Sequence, residues 1–442
     1  MTNKQTHNLI PALRFPDFVN DEEWEEDTVE NLFTFLPNNT LSRAELNYEV
    51  GSSLNVHYGD VLIKFGECLD VKKEVLPRIT NDVIADKFSG SRLKNGDVVI
   101  ADTAEDEAVG KCTEIINLTN EIVVPGLHTI AIRPKREFAS RYLGFYMNSY
   151  SFRNQLFRLM QGVKVSSISK SALKTATIRF PSSVDEQSRI AGLLFSLDEM
   201  LSATNGKLEK LKAYKKGLIQ NLFNQRGGVI NNINNRIVRR LRFPEFYNEK
   251  EWEEKKLGEI FSLIRNGAMY DTNNTSGFPM SRIETISNGV IDYDRVGYSE
   301  TELKDYILKE GDILFSHINS LSHIGKVAYY DGSKVLYHGM NLLMLRCEMS
   351  FYPLYIFYLL NAEEMKIAFR SIAKRAINQA SISTKELAKL LVYIPQKEEQ
   401  RKIASCLSTM DDQINAFTEK VGLLGQYKKG LMQGMFPPNQ MN

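Results

Sequence analysis

Two parts of the chain gather side chains that can neutralise phosphates with side chains that can read base edges. The denser one holds Arg265, Asn266 and Arg282, then Ser316-His317-Ile318-Asn319-Ser320, His323 and Lys326. It continues through Lys374-Arg375-Ala376-Ile377-Asn378-Gln379 to Ser381. The sparser one holds Lys64, Lys72, Lys73, Arg78, Arg92, Lys164 and Ser166. Arg and Lys pair with phosphate oxygens, while Asn, Gln, His and Arg can offer hydrogen-bonding atoms to a base edge. All of these are candidate DNA-binding residues, although any one alone is more often a solvated loop charge. The net charge of +1 weighs against an indiscriminate grip on nucleic acid but permits local basic patches.

Catalytic patterns are missing by contrast. Gly110-Lys111-Cys112 has Cys where a phosphate-binding loop needs a hydroxyl, and no Gly stands five positions earlier. No Gly-rich dinucleotide or methyl-donor fingerprint occurs. Asn-Pro-Pro-aromatic is absent, and Phe436-Pro437-Pro438-Asn439 runs in the wrong order. No Asp/Glu-x-Lys follows Pro16-Asp17 at a useful distance, which removes a nuclease reading. His317 and His323 lie six apart, unsuited to one helical face as metal ligands. The chain is expected to bind rather than catalyse, with no metal or cofactor of its own. Cys68, Cys112, Cys347 and Cys406 are too scattered for a disulfide framework or a metal site, so a reducing cytoplasm is expected. Met1 to Leu9 lacks a secretory signal's apolar stretch, and no apolar run approaches the roughly 18 residues of a membrane span.

The elements that must position these residues are set by an internal repeat. Leu13-Arg14-Phe15-Pro16-Asp17-Phe18, Trp24-Glu25-Glu26 and Leu32-Phe33 return as Leu241-Arg242-Phe243-Pro244-Glu245-Phe246, Trp252-Glu253-Glu254 and Ile260-Phe261, at a constant offset of 228 residues. The chain's two tryptophans are therefore equivalent. At an offset near 213, Ser167-Ile168-Ser169 answers Ser381-Ile382-Ser383, Glu186-Gln187 answers Glu399-Gln400, and Tyr214-Lys215-Lys216-Gly217-Leu218 answers Tyr427-Lys428-Lys429-Gly430-Leu431. Between these anchors only skeletal matches survive. Gly96-Asp97-Val98-Val99 pairs with Gly311-Asp312-Ile313-Leu314, and Gly126-Leu127-His128 with Gly339-Met340-Asn341. A shared framework with divergent contents suits one task performed on two targets.

Each copy ends in a heptad seam. Ile190, Leu194, Leu197, Leu201, Leu208, Leu211, Leu218 and Leu222 alternate steps of four and three, interrupted at Thr204 and Lys215. Ile403, Leu407, Met410, Ile414, Phe417, Val421, Leu424, Leu431 and Met435 do the same, interrupted at Lys428. A seam held over more than four heptads signals a coiled coil. Equivalent seams predict that the two helices pair antiparallel within one chain. Each would be roughly 52–60 Å long at ~1.5 Å per residue, a ruler between two domains. Pro181 and Ser183 mark a start, and glycines 206, 217, 422, 425 and 430 are expected to weaken the helices locally.

The domains themselves read as α+β. Strands are predicted over Val56–Lys64, Asp97–Ala101, Ile130–Arg133 and Thr175–Phe180 in the first. In the second they are predicted over Val290–Ile291, Asp312–Ser316, Lys326–Tyr330, Asn341–Arg346 and Leu390–Ile394. One helix precedes the last strand in each, Ala139–Leu159 and Leu354–Ile372. The division expected is a first domain over 1–182, a spacer helix over 183–225, a second domain over 226–395 and a final helix over 396–442.

Taken together the chain resembles the specificity (S) subunits of type I restriction–modification enzymes. The resemblance rests on the Leu-Arg-Phe-Pro and Trp-Glu framework, and on Gly311-Asp312-Ile313-Leu314-Phe315-Ser316 followed by Ile324-Gly325-Lys326-Val327. It rests further on Asn378-Gln379-Ala380-Ser381-Ile382-Ser383 and on Ile394-Pro395 leading to Glu399-Gln400-Arg401-Lys402-Ile403-Ala404. The first domain departs from the pattern: Gly162-Val163-Lys164-Val165-Ser166-Ser167 replaces Asn-Gln, and the Ile-Gly-Lys-Val step is missing. The resemblance implies two target-recognition domains, each reading half of a split site in double-stranded DNA. It also implies two methyltransferase subunits on the paired helices and two restriction subunits in the full complex. S-adenosylmethionine, ATP and Mg²⁺ would belong to those partners. A scaffold whose domains bind peptides instead is the alternative from the residues alone.

Overall fold

A computed structural model describes residues 9–160, 166–223, 229–231, 236–238, 241–287, 289–321, 323–375 and 379–437. The chain divides into two compact units, Met1–Asn205 with Glu419–Asn442, and Gly206–Thr418. Both are α+β.

In the first unit a five-stranded sheet runs in the order Phe33–Leu36, Thr129–Pro134, Val98–Ala101, Cys112–Ile116, Cys68–Asp70. Its pairs are antiparallel except the last. The run Val98-Val99-Ile100-Ala101 is buried on both faces, hence its unbroken apolar character. A four-stranded sheet in the order 122–125, 53–56, 78–79, 46–47 lies beside it in the chain's first domain. The second unit repeats the central sheet as Phe261–Asn266, Leu343–Cys347, Ile313–Phe315, Val327–Tyr329. Among the described residues the second unit has no counterpart of the 122–125, 53–56, 78–79, 46–47 sheet. In both units the strand after the Trp-Glu motif pairs antiparallel with the strand before the long helix: Glu25–Thr28 with Thr177–Phe180, and Glu253–Lys256 with Leu391–Ile394.

Two expectations are corrected. Val56–Lys64 is not a strand. The strand is Ser53–Val56, and Tyr58–Ile63 is a helix whose first turn is capped by His57, Nδ1 accepting from the Gly59 N–H at 3.2 Å. That side-chain cap supplies what strand pairing would otherwise supply. The single helices expected over Ala139–Leu159 and Leu354–Ile372 are each two. They break at Ser149 and Ala362, both of extended backbone, giving Tyr142–Asn148 with Tyr150–Phe157, and Pro353–Asn361 with Glu363–Ile372. At the first break the Ser149 N–H and Oγ both donate to the Tyr146 carbonyl.

The long helices are Val184–Phe223 and Lys397–Met435, continuous through every glycine named above. At each of those glycines an added Cβ would meet open space, so the cost is intrinsic propensity alone. The start of one helix and the end of the other share each unit, so the pair is an antiparallel coiled coil. Ile190, Leu194, Leu197, Leu208, Leu222, Ile403, Leu407, Met410 and Met435 are buried, and the remaining seam residues are half-buried. The two interrupting lysines are neutralised in equivalent ways. Lys428 Nζ lies 2.5 Å from Asp198 and 2.7 Å from Glu67, over the Phe145 ring. Lys215 pairs with Asp411 and lies over Tyr358, whose hydroxyl donates to Asp411 at 2.7 Å.

The helix ends are part of the domain cores. Ile190, Ala191, Leu194, Met435 and Phe436 join Trp24, Tyr142, Tyr146 and Phe180 in the first unit. Leu222, Phe223, Ile403, Ala404 and Leu407 join Trp252, Tyr355 and Phe369 in the second. The units differ in buried titratable groups. Glu114 sits beneath the helix at 142–148, accepting from the backbone N–H of Arg141 at 2.6 Å and of Gly144 at 2.9 Å, and burial pushes its carboxyl up to about 7. His338, buried with Nε2 at 3.1 Å from the Arg265 carbonyl, is pushed down by burial to about 4.

Candidate nucleic-acid interface

The repeated motif is a clamp. Arg14 donates from Nε and Nη2 to the two oxygens of Glu186, both at 2.8 Å, and also holds the carbonyls of Asp21 and Glu22. The Trp24 indole N–H donates to the same carboxylate at 3.4 Å. In the second unit Arg242 holds Glu399 at 2.9 and 2.8 Å together with the carbonyls of Glu249 and Lys250, and Trp252 donates to Glu399 at 3.2 Å. The adjacent glutamines complete it. Gln187 accepts from Ala139 N–H and donates to the Pro181 carbonyl, while Gln400 accepts from Tyr352 N–H and donates to the Pro395 carbonyl. A buried carboxylate is tolerable here because a bidentate guanidinium and an indole satisfy it.

The Gly-Asp matches have their own reason. Gly96 and Gly311 take left-handed backbone, φ +85 and +90, so each turn admits the aspartate that follows. Asp97 then receives Arg133, and Asp312 receives Arg346, each through two contacts of 2.7–2.9 Å. These pairs anchor the strands that carry the candidate residues.

In the second domain the candidates of the 317–323 and 374–381 segments gather, while Arg265, Asn266 and Arg282 lie on other elements. Ile318–Asn319, Ala380–Ser381 and Lys374–Arg375 form a three-stranded ladder, with Ser381 opposite both Ile318 and Lys374. His317 is half-buried, its imidazole pushed down in pKa by that burial. Asn319 donates to Ser316 Oγ at 3.1 Å, and Ser320 Oγ lies 2.8 Å from His323 Nδ1. Arg375, Gln379 and Ser381 are exposed along the same ladder. Lys326 lines a cavity of about 360 Å³ with Asn361, Lys366 and Arg370. Arg265 donates to the Asp305 carbonyl and stacks 3.9 Å over Tyr306, Asn266 ends its strand exposed, and Arg282 donates to the Arg295 carbonyl. Asn378 lies outside the described residues.

In the first domain the basic candidates are spread over separate elements. Lys64 closes the 58–63 helix against the Val75 carbonyl, and the Lys72 N–H donates to Asp70. Lys73 pairs with Glu199 of the long helix at 3.2 Å, Arg78 holds the Gly51 carbonyl, and the Arg92 carbonyl accepts from Arg133. Lys164 lies outside the described residues. Among the described candidates of the first domain, Ser166 stands where the second domain has its patch, since Thr103–Ala104 pairs with Ser166–Ser167 as Ile318–Asn319 pairs with Ala380–Ser381.

Sequence reasoning missed residues at this place. The Ile-Gly-Lys-Val step is present in the first domain, as Val109-Gly110-Lys111-Cys112. Gly110 N–H donates to the Ala101 carbonyl and Gly325 N–H to the Ser316 carbonyl, both at 2.8 Å, with φ of +81 and +80. That correction aligns Lys111 with Lys326 and Asp102 with His317. Asp102, Thr103, Tyr58 and His128 therefore belong to the candidate surface. The Gly-Asp match, continued past its strand, was the available signal. Among the described residues no group of three or more His, Cys, Asp or Glu side chains is placed to hold a metal ion, and no helix is long and apolar enough to cross a membrane.

Two clamped α+β domains, each followed by one helix of an antiparallel pair and each with a loop surface of its own, define a duplicated architecture. The chain belongs to the type I restriction modification DNA specificity domain family, whose profile matches residues 22–213 and 249–422. A Methanocaldococcus jannaschii protein named for the specificity subunit of the type I restriction enzyme MjaX is 44% identical over 194 residues, 42% of this chain and 46% of that one. The EcoKI specificity subunit of Escherichia coli is 24% identical over 310 residues, 67% of this chain and 65% of that one. The chain thus spans between about half and two thirds of these curated relatives. The crystal structure of the type I restriction–modification S subunit from M. genitalium shares the fold, with a TM-score of 0.61 and 16% identity over 98% of this chain and 100% of that one.

Proposed function

We propose that the chain is the non-catalytic DNA-specificity subunit of a type I restriction–modification complex. One domain, 1–182, reads one half of a bipartite duplex site, and the other, 226–395, reads the second half. The helices at 183–225 and 396–442 space the domains and carry two methyltransferase subunits, with two restriction subunits joining them. S-adenosylmethionine, ATP and Mg²⁺ act on those partners, and the compartment is the cytoplasm. The observation that carries this reading is the duplicated clamp: Arg14–Glu186 and Arg242–Glu399 repeat with the same partners, while the loops between them differ. Internal duplication gives one chain two equivalent surfaces for identical partners.

Co-expression with a candidate methyltransferase subunit, followed by methylome sequencing, tests it. The expected result is a new bipartite motif methylated on adenine, and a methylome without one overturns the reading. Deleting one helical turn between Ile190 and Leu222 is expected to change the spacer between half-sites while leaving both half-sites as they are.

A further inference from the structure

The two domains keep one surface in common and fill it differently. Ile168 N–H donates to the Asp102 carbonyl at 2.9 Å, and Ile382 N–H to the His317 carbonyl at 2.9 Å, so Asp102 and His317 are one position of the fold. His128 and Asn341 are another. Each stands two residues after the matched glycine, in left-handed backbone with φ of +53 and +67. Few non-glycine residues adopt that backbone, and here it is retained in both domains while the side chain changes.

In the first domain these positions meet. Asp102 N–H donates to the His128 carbonyl at 3.1 Å, and His128 Nδ1 lies 3.4 Å from Asp102 Oδ1. Thr103 Oγ1 donates to the same oxygen at 2.7 Å, and the Tyr58 ring meets His128 edge-on at 5.3 Å. The Asp102 and His128 side chains remain 24% and 48% exposed. The cluster is thus tethered from below and open to solvent.

We propose that Asp102, His128 and Tyr58 determine the half-site read by the first domain, as His317 and Asn341 determine that of the second. This inference rests on the DNA-recognition reading above. A carboxylate accepts hydrogen bonds only, so Asp102 matches the exocyclic amino group of cytosine or adenine in the major groove. The second domain presents an imidazole and an amide at the matched positions, which can also donate. One scaffold thereby selects two different half-sites.

The test uses the full chain co-expressed with its methyltransferase subunit, read by methylome sequencing. Asp102→Asn keeps the shape and adds a donor. His128→Asn installs the second domain's residue, which tolerates left-handed backbone. Each is expected to change base preference in one half-site by on the order of tenfold or more, with the other half-site and the spacer unchanged. The retained half-site reports that the complex is folded and assembled. Full methylation at an unaltered first half-site by both variants overturns the proposal. If a variant abolishes methylation altogether, enrichment of random duplexes by the purified complex decides, and wild-type enrichment at both halves again overturns it. A wild-type complex that yields no bipartite motif fails the functional reading itself, a result distinct from either variant's.

Discussion

The two domains share a framework to within fractions of an ångström at their clamps, yet their loop surfaces, apart from the matched Lys111 and Lys326, carry different side chains at the matched positions. Arg14, Trp24 and Glu186 repeat as Arg242, Trp252 and Glu399 with the same hydrogen bonds. At the matched loop positions an acid faces a histidine in one domain, while a histidine and an asparagine stand in the other. The first domain adds a four-stranded sheet, and the second adds a three-stranded ladder of candidate residues. What is buried and bidentate has been kept because a single loss leaves an uncompensated charge. What is exposed has been free to change because its neighbours do not depend on it.

The largest expected effect breaks the shared half. Arg14→Ala leaves the buried Glu186 carboxylate without its guanidinium and is expected to cost about 3–5 kcal/mol in the first unit alone. Arg242→Ala is expected to cost the same in the second, and unit-resolved hydrogen exchange reads which unit opens. Equal losses in both units from either variant would show that the clamps are not domain-specific. Next, Leu194→Ala and Leu407→Ala occupy equivalent, fully buried seam positions and should each cost about 2–5 kcal/mol. A large inequality in denaturant midpoints would show that the seam is not symmetrical.

A pH titration separates the units. Glu114 is raised in the native state, so between about 4.5 and 7 the folded form holds the proton more tightly and the first unit loses stability as pH rises. His338 is lowered to about 4, so between about 4 and 6.5 the unfolded form holds more protons and the second unit loses stability as pH falls. Acidification from pH 7 to 5 should thus move the two units in opposite directions, by at most about 1.4 kcal/mol per pH unit for each group. Hydrogen exchange at both pH values checks the signs, and Glu114→Gln should remove its share of the slope in the first unit, leaving that of Asp198, which burial raises to about 6, and leave the second unit unchanged. The smallest effect sharpens the comparison at the turns. Asn341→Ala should cost about 1 kcal/mol through its left-handed backbone, and His128→Ala a similar amount, in thermal unfolding.

Much of this was legible in the residues. The repeat, the α+β class and the heptad pair follow from patterns that are local or periodic. An Arg-Phe-Pro motif and a Trp recur at one spacing, and a Glu-Gln pair recurs 162 residues after the first Trp and 147 after the second, because the clamp needs all three. The second domain's loop was visible because its polar residues are contiguous. The first domain's surface was not, since Tyr58, Asp102 and His128 stand far apart along the chain. Strand pairing brings Asp102 beside His128, and the Tyr58 ring packs on His128 from the start of a helix.

The sequence by itself determined that there are two of everything, because duplication leaves its mark on residue identity and a coiled coil leaves its mark on spacing. It also showed that an Arg, a Trp and a Glu-Gln pair recur in each copy, and the tertiary structure joined them into one clamp. Only the tertiary structure decided that Val109-Gly110-Lys111-Cys112 is the counterpart of Ile324-Gly325-Lys326-Val327, and that the helix predicted before each last strand is broken in two. Those matters depend on backbone hydrogen bonds and left-handed turns, which different side chains can satisfy equally well. The same holds for the recognition surface: it is fixed by which loops the sheets bring together, a property of pairing between distant strands that no single stretch of residues carries.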